Sequence, residues 1–388
     1  MIDLIYDCDI TMGLPGKDVD DGLALLYLLG SAEIRLLGVT STFGNSTIEE
    51  VHPCLLSILE DLGRSHIPAY RGAARSATRP TVPFHHDPGI RDSRADSDAA
   101  QFLADSVRQS PGTMSILATG SQTNLLGAYR LHSGFFRDVK EIVFMGGVSE
   151  PLLINGREMA ELNLASDPEA ALYALYAGVP PVAPNAAAID GEAAPPISNP
   201  LLRGTDPYSE SSFRSGRCRR TVISGNLCLQ ALLTRERFDA FIKEVVNPGY
   251  ASYLEQKILP WFAWIEQAYG LPGFHAWDAT AALYLTDPQL FDSNEFILRS
   301  RLDDLKTGYL RIEPVGVESA GGPAADVQSA GVPASGAPST GDPATDYPPE
   351  DPTTGINSAG RINLPIRIRD LPGYWQTLFD GWLRAQAA

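Results

Sequence analysis

Apolar and polar positions along the first 180 residues fall into two alternating rhythms. Short, nearly unbroken apolar runs at residues 2–6, 34–40, 114–118 and 141–145 read as buried strands. Longer stretches with apolar positions at helical spacing follow them at 22–29, 48–62 and 123–131. Asp167-Pro168-Glu169 opens a further helix through Ala177, with proline where a first turn tolerates it. Strand then helix, repeated, predicts an α/β fold: an open, mainly parallel sheet with helices on both faces. In such folds ligands bind outside the carboxyl ends of the strands. Near the C-terminus, residues 362–368 form a strand candidate. Residues 374–383 form a helix whose Trp375, Leu378, Phe379 and Trp382 lie at helical spacing and read as core.

Two stretches break the rhythm. Residues 184–219 are rich in Pro, Ala, Ser and Arg without a period and read as an inserted loop. Residues 315–360 are rich in Gly, Pro, Ala, Ser and Thr. They cannot bury enough apolar surface to offset their ordering entropy, so a disordered insertion is expected there. The expected organisation is one catalytic domain over residues 1–388 with these two excursions.

Composition narrows the partners. At 388 residues and 44% hydrophobic content the chain can bury a large core. A net charge of -17 argues against nucleic acid or an anionic membrane. Cys8, Cys54, Cys218 and Cys228 form no CxxC pair, which implies neither a zinc site nor a disulfide framework. Reduced thiols, with no basic leader and no membrane-length apolar run, fit a cytoplasmic protein.

Polar chemistry concentrates at the tip of the first strand. Asp7, Asp9, Asp18, Asp20 and Asp21 fall within fifteen residues. Like charges so close repel unless a cation lies between them. A hard divalent ion with oxygen ligands is the natural occupant, and a solvated acidic loop is the plain alternative. Asp7-Cys8-Asp9-Ile10-Thr11 also matches the aspartyl-nucleophile motif of haloacid-dehalogenase-type phosphatases. That reading would make the protein a magnesium-dependent phosphohydrolase using Asp7.

Further patterns follow in order. Gly44-Asn45 ends the second strand, and Pro68-Ala69-Tyr70-Arg71-Gly72 comes next. Thr119-Gly120, Met145-Gly146-Gly147, Asn155 and Ala160-Glu161-Leu162-Asn163 then appear, and last Trp277-Asp278-Ala279-Thr280. In this order and spacing they resemble the inosine–uridine-preferring nucleoside hydrolase family. The resemblance covers most of residues 1–180 and 220–315 and the final strand and helix. It implies calcium-dependent hydrolysis of the N-glycosidic bond of ribonucleosides to free base and ribose, by a homodimer or homotetramer. Carried over by position, Asp9 is implied as calcium ligand and general base, and Asp21 and Asp278 as further ligands. Thr119 would add its backbone carbonyl. Asp20 would receive the ribose 2′-hydroxyl. Asn45, Asn155, Glu161 and Asn163 would hold ribose hydroxyls, with Met145 lining the sugar pocket. Taken singly, Asn45 reads as a turn residue, Glu161 as a surface charge, and Asp278 and Asp167 as helix caps. A non-catalytic nucleoside- or calcium-binding protein is the third class.

The chain departs from the family's pattern in two informative places. Residues 10–19 are longer than usual and contain Gly13, Pro15, Gly16 and Lys17, which leaves Asp18 without an assignment. Lys17 would either pair with Asp18 or point into solvent. Trp277 stands where many members carry the histidine that protonates the leaving base, and His275, two positions earlier, would point elsewhere. A tryptophan there resembles the purine-preferring branch, where an aromatic ring stacks on the base. Phe84, His85 and His86 lie where the family often places base-side contacts. Purine nucleosides are therefore expected to be favoured.

Overall fold

The structure, a computed structural model, describes residues 1–74, 93–177, 218–292, 294–315 and 360–386. Phe84, His85 and His86, and both expected insertions apart from their edge residues, lie outside the described residues. Arg219, placed in the first insertion by sequence, opens a strand, and Gly360, at the end of the second, opens another.

The strands, in chain order, are β1 (Ile2–Cys8), β2 (Ile34–Ser41), β3 (Ala69–Arg71), β4 (Ser115–Ala118), β5 (Glu141–Met145), β6 (Leu153–Ile154) and β7 (Arg157–Glu158). They continue with β8 (Arg219–Ile223), β9 (Leu232–Thr234), β10 (Gly273–His275), β11 (Glu295–Leu298), β12 (Ile312–Pro314) and β13 (Gly360–Asn363). Nine of them form one sheet in the order β12-β11-β13-β8-β5-β4-β1-β2-β3. From β13 to β3 every neighbouring pair is parallel, and β11 runs antiparallel to both β13 and β12. The open, mainly parallel sheet read from the sequence is thus present. β2 and β3 lie on one side of β1 and β4 on the other, so the chain's progression reverses between β1 and β4. The carboxyl ends of those two strands are where a ligand crevice forms.

The central strands are buried on both faces. Along β1, Leu4, Tyr6 and Cys8 enter one apolar layer and Ile5 enters the other. The C-terminal helix Leu371–Ala385 buries Trp375, Leu378 and Trp382 as its spacing predicted. It packs on the helix Asp20–Gly30, where Trp382 Nε1 donates to the Leu23 carbonyl at 2.9 Å, and Tyr250 Oη of the helix Pro248–Tyr269 donates to the Trp382 carbonyl at 3.0 Å. The end of the chain therefore braces the helix that carries Asp20 and Asp21.

Several boundaries moved. The first helix begins at Asp20 rather than Gly22, so both aspartates occupy its first turn. The strand expected at 362–368 ends at Asn363, because Pro365 has no N–H for the ladder. Ile368 returns only as a single bridge to Phe291. The last helix starts at Leu371, where the Asp370 carboxylate accepts from Gly373 N at 2.9 Å. Asp167 caps its helix as read, accepting from Ala170 N at 3.1 Å. Among the described residues no helix is long and apolar enough to cross a membrane.

Trp382→Ala removes a buried aromatic and its hydrogen bond from beneath the first helix. Denaturant unfolding is expected to show a loss of about 3–5 kcal/mol. A loss below about 1 kcal/mol would contradict this bracing.

Candidate active site

Three elements deliver carboxylates to the crevice between β1 and β4, and a fourth delivers a threonine. Asp9 follows β1 directly, and Asp20 and Asp21 form the first turn of the helix Asp20–Gly30. Asp278 lies in the first turn of the helix Trp277–Thr286. Thr119 follows β4. All five residues are buried. Carboxylate oxygens of Asp20, Asp21 and Asp278 lie within 4.8 Å of one another. Two helix N-termini point at this space, and their positive ends favour negative charge.

Asp21 is the best supported of the cluster. Its Oδ1 accepts from Thr119 Oγ1 at 2.7 Å and Tyr6 Oη at 3.0 Å, and its Oδ2 from Asn45 Nδ2 at 3.4 Å. Asp9 accepts from Asn45 N at 2.6 Å and Asn45 Nδ2 at 3.3 Å. Asn45 is thus a fixed donor to two carboxylates, not merely a turn residue. Gly44 is required beside it, since a Cβ there would collide with the Asp9 carboxylate. Thr119 reaches the cluster through its hydroxyl in this structure, in addition to any use of its carbonyl.

The electrostatics are adverse without a cation. Burial first, and neighbouring carboxylates second, hold the Asp9, Asp20 and Asp278 carboxyls well above the ordinary range. Burial also raises Asp21, against the hydrogen bonds from Thr119 and Tyr6. Two like charges 4 Å apart repel by about 4 kcal/mol at an effective dielectric of 20. The donors are all oxygen, buried and convergent, which fits a hard divalent ion among Asp9, Asp21, Asp278 and Thr119, with the Asp20 carboxylate beside it.

A pocket of about 180 Å³ opens from this cluster. Asp20, Asn45, Thr119, Met145, Glu161, Asn163, Trp277 and Asp278 line it, as the sequence reading gathered them. Asp9 and Asp21 lie immediately behind, bonded to Asn45. Asn163 Nδ2 donates to the Met145 carbonyl at 3.0 Å, which fixes both. Glu161 accepts from the backbone N–H groups of Gly147, Leu164 and Ala165 at 2.9–3.0 Å, so it is no surface charge. Asn155 is not brought to the pocket. It sits exposed at the tip of the β6–β7 hairpin, and its amide donates to the Tyr269 carbonyl at 2.8 Å.

Other lining residues were not singled out from the sequence. Val148, Leu152, Met159 and Leu162 form an apolar wall, and isolated apolar residues in short loops carry no signal. Asp18 also lines the pocket. Its Oδ1 accepts from Val19 N at 2.6 Å and Asp20 N at 3.3 Å, and burial raises its carboxyl to about 6. Lys17 neither pairs with Asp18 nor points away: its ammonium donates to the Asn45 carbonyl at 2.9 Å. His275 is buried behind Trp277, with ring centroids 5.0 Å apart, and burial lowers its imidazole to about 4. It is neutral at ordinary pH and does not line the pocket.

Asp7 turns away from this chemistry. It is fully buried, and its Oδ1 accepts from Thr40 Oγ1 at 2.6 Å and Asn124 Nδ2 at 2.8 Å. A carboxylate enclosed outside the pocket cannot attack a phosphoryl group, which removes the support for the Asp7 phosphohydrolase.

Residues 4–332 match the profile of the inosine-uridine preferring nucleoside hydrolase family. The chain belongs to this family. It is 32% identical over 190 residues to the pyrimidine-specific ribonucleoside hydrolase RihA of Citrobacter koseri, covering 46% of this chain and 58% of that one. It is 33% identical over 180 residues to uridine nucleosidase 1 of Arabidopsis thaliana, covering 43% and 51%. The chain spans little more than half the length of these curated relatives. Two solved structures share the fold. A plant nucleoside hydrolase matches with TM-score 0.66 at 19% identity over 100% of this chain and 99% of its own. A purine-preferring ribonucleoside hydrolase from Gardnerella vaginalis matches with TM-score 0.64 at 20% identity over 100% of both chains.

The raised carboxyls set a pH dependence. Each binds protons more readily folded than unfolded, so metal-free stability falls as pH rises from the ordinary carboxylate range through about 6 for Asp18 and through the raised range of its neighbours. Saturating calcium should relieve this, by about 2.7 kcal/mol at a hundredfold excess over Kd. Thermal unfolding of chelator-treated protein is expected to show a larger calcium-induced rise in Tm at pH 8 than at pH 5. Equal shifts at both pH values, or none, would contradict a cation site built from these groups.

Proposed function

We propose that the protein is a calcium-dependent N-ribohydrolase that cleaves ribonucleosides to free base and ribose, with purine nucleosides favoured. The observation that carries this is the convergence of Asp20, Asp21 and Asp278 beside Asp9, at the end of a pocket walled by Asn45, Asn163 and Trp277. Family membership supports the reaction class.

Calcium held by this cluster would orient the ribose diol and a water molecule and lower that water's pKa. The chain's own groups do the rest. Asp9, fixed by two bonds from Asn45, takes a proton from the attacking water. The water oxygen bonds to C1′ as the bond from C1′ to the base nitrogen breaks, its electron pair leaving with the base. Positive charge builds on the sugar, and the surrounding carboxylates stabilise it. Asp20 accepts the 2′-hydroxyl, while Asn45, Asn163 and Glu161 hold the remaining sugar oxygens beside Met145. Three backbone donors keep Glu161 in place and leave it lone pairs for a hydroxyl.

The leaving base rests on Trp277. Stacking on its ring favours a large purine that has taken a proton from solvent on a ring nitrogen, so that the bond's electron pair leaves with it as a neutral base without a side-chain acid. The curated relatives are named for pyrimidine nucleosides, and a purine preference in this chain rests on Trp277.

Free ribose is the readout. With inosine, guanosine, adenosine, uridine and cytidine compared in calcium buffer, kcat/KM is expected to be highest for a purine nucleoside. Equal or faster turnover of uridine would overturn the preference and leave the reaction class standing. Asp9→Ala should lower kcat by about 10²–10⁴-fold without loss of the folded circular-dichroism signal. Retained activity would remove Asp9 as the base. Release of phosphate from p-nitrophenyl phosphate without ribose release would overturn the reaction class itself.

A further inference from the structure

We propose that Asn155 and Arg157 are positioning residues that clasp the β6–β7 hairpin to the C-terminal end of the helix Pro248–Tyr269 and so set the outer wall of the nucleoside pocket. The proposal rests on the pocket's assignment above.

The hairpin is a two-residue turn between two very short strands. Asn155 has φ 49° and Gly156 φ 73°, the backbone a type I′ turn requires and the reason for an Asn-Gly pair here. Only two residue pairs join the strands, Leu153 with Glu158 and Ile154 with Arg157. A ribbon of this length is not stable alone. Yet it carries the wall: Leu152 and Met159 flank it, joined by Met159 N donating to the Leu152 carbonyl at 2.8 Å, and both line the pocket. Glu161 and Leu162 follow immediately.

What fixes the ribbon is the long helix. Helices end in carbonyls with no partner of their own. Here Asn155 Nδ2 donates to the Tyr269 carbonyl at 2.8 Å and the Gly270 carbonyl at 3.4 Å, and Arg157 Nη1 donates to the Ala268 carbonyl at 2.9 Å. A cation at a helix C-terminus is favoured by the macrodipole. Both side chains are exposed and neither lines the pocket, so any effect on substrate passes through Leu152 and Met159.

The same helix also supports the acidic loop. Gly13 lies against the Lys257 side chain and Gly16 against the Trp264 ring, so the lengthened 10–19 loop that ends in Asp18 rests on it. One helix thus ties the apolar wall to the acidic loop, and the clasp sets the width between them.

Three variants test this: Asn155→Gly, which keeps the positive-φ turn but removes the donor, Arg157→Ala, and Arg157→Lys. The first two are expected to raise KM for the best nucleoside by about three- to tenfold, as loss of one such hydrogen bond implies, with kcat within about twofold. Arg157→Lys, which keeps a cation and a donor, should recover part of the loss. The 5′-deoxy analogue of the same nucleoside separates clasp from sugar contact. A clasp gives the same KM penalty on both substrates. A penalty from Asn155→Gly that vanishes on the 5′-deoxy substrate would mean Asn155 touches the sugar and would overturn the proposal, as would unchanged KM in both clasp variants. Amide exchange at Met159 reads the clasp even if no nucleoside is hydrolysed: it should quicken in both variants, and unchanged exchange would also overturn it.

Discussion

Buried carboxylates that must not drift apart are the constraint on which the rest of this molecule depends. Asp9, Asp20, Asp21 and Asp278 come from three separate parts of the chain and meet in a space shielded from water. Their repulsion favours spreading, protonation or a cation. The fold opposes spreading at each point. Asn45 and Thr119 donate from the strand ends, Tyr6 donates from within the sheet, and the last helix presses on the helix that starts at Asp20. The remaining relief, a divalent ion, is also what the proposed reaction needs at the ribose diol.

The pocket divides by chemistry. Its inner end is polar, and there Asp9 and Asp21 accept hydrogen bonds from Asn45, Thr119 and Tyr6 at the sheet edge. Its outer end is apolar and rests on a short ribbon and a lengthened loop, both held by one long helix. In the proposed reaction the polar end holds the sugar, and the apolar contour around it belongs to elements outside the central sheet.

Much of this was legible in the residues. β1, β2, β4 and β5 announce themselves as apolar runs, and their alternation with helices implied the parallel sheet and the crevice at its carboxyl edge. The acidic cluster after β1 stood out from the residues alone, whereas Asp278 and Asn45 read singly as a helix cap and a turn residue and were picked out only through the family resemblance. Asn155 was misleading for a physical reason: Asn-Gly is equally a turn signal, and the turn reading describes its backbone. The cap contacts of Asn155 and Arg157 span more than a hundred residues, and a side chain on a distant carbonyl leaves no local pattern. Lys17 likewise finds the Asn45 carbonyl, a partner that neither of its sequence readings contained. β13 ended early because a single proline outweighed the alternation around it.

The claim that a cation among these carboxylates makes the site work is tested most directly by stripping and refilling the protein. Protein treated with chelator should release no ribose from a nucleoside that the untreated protein hydrolyses. Added calcium should restore release in wild type and fail to do so in Asp21→Asn. Full ribose release by protein shown to be metal-free by elemental analysis would contradict the account.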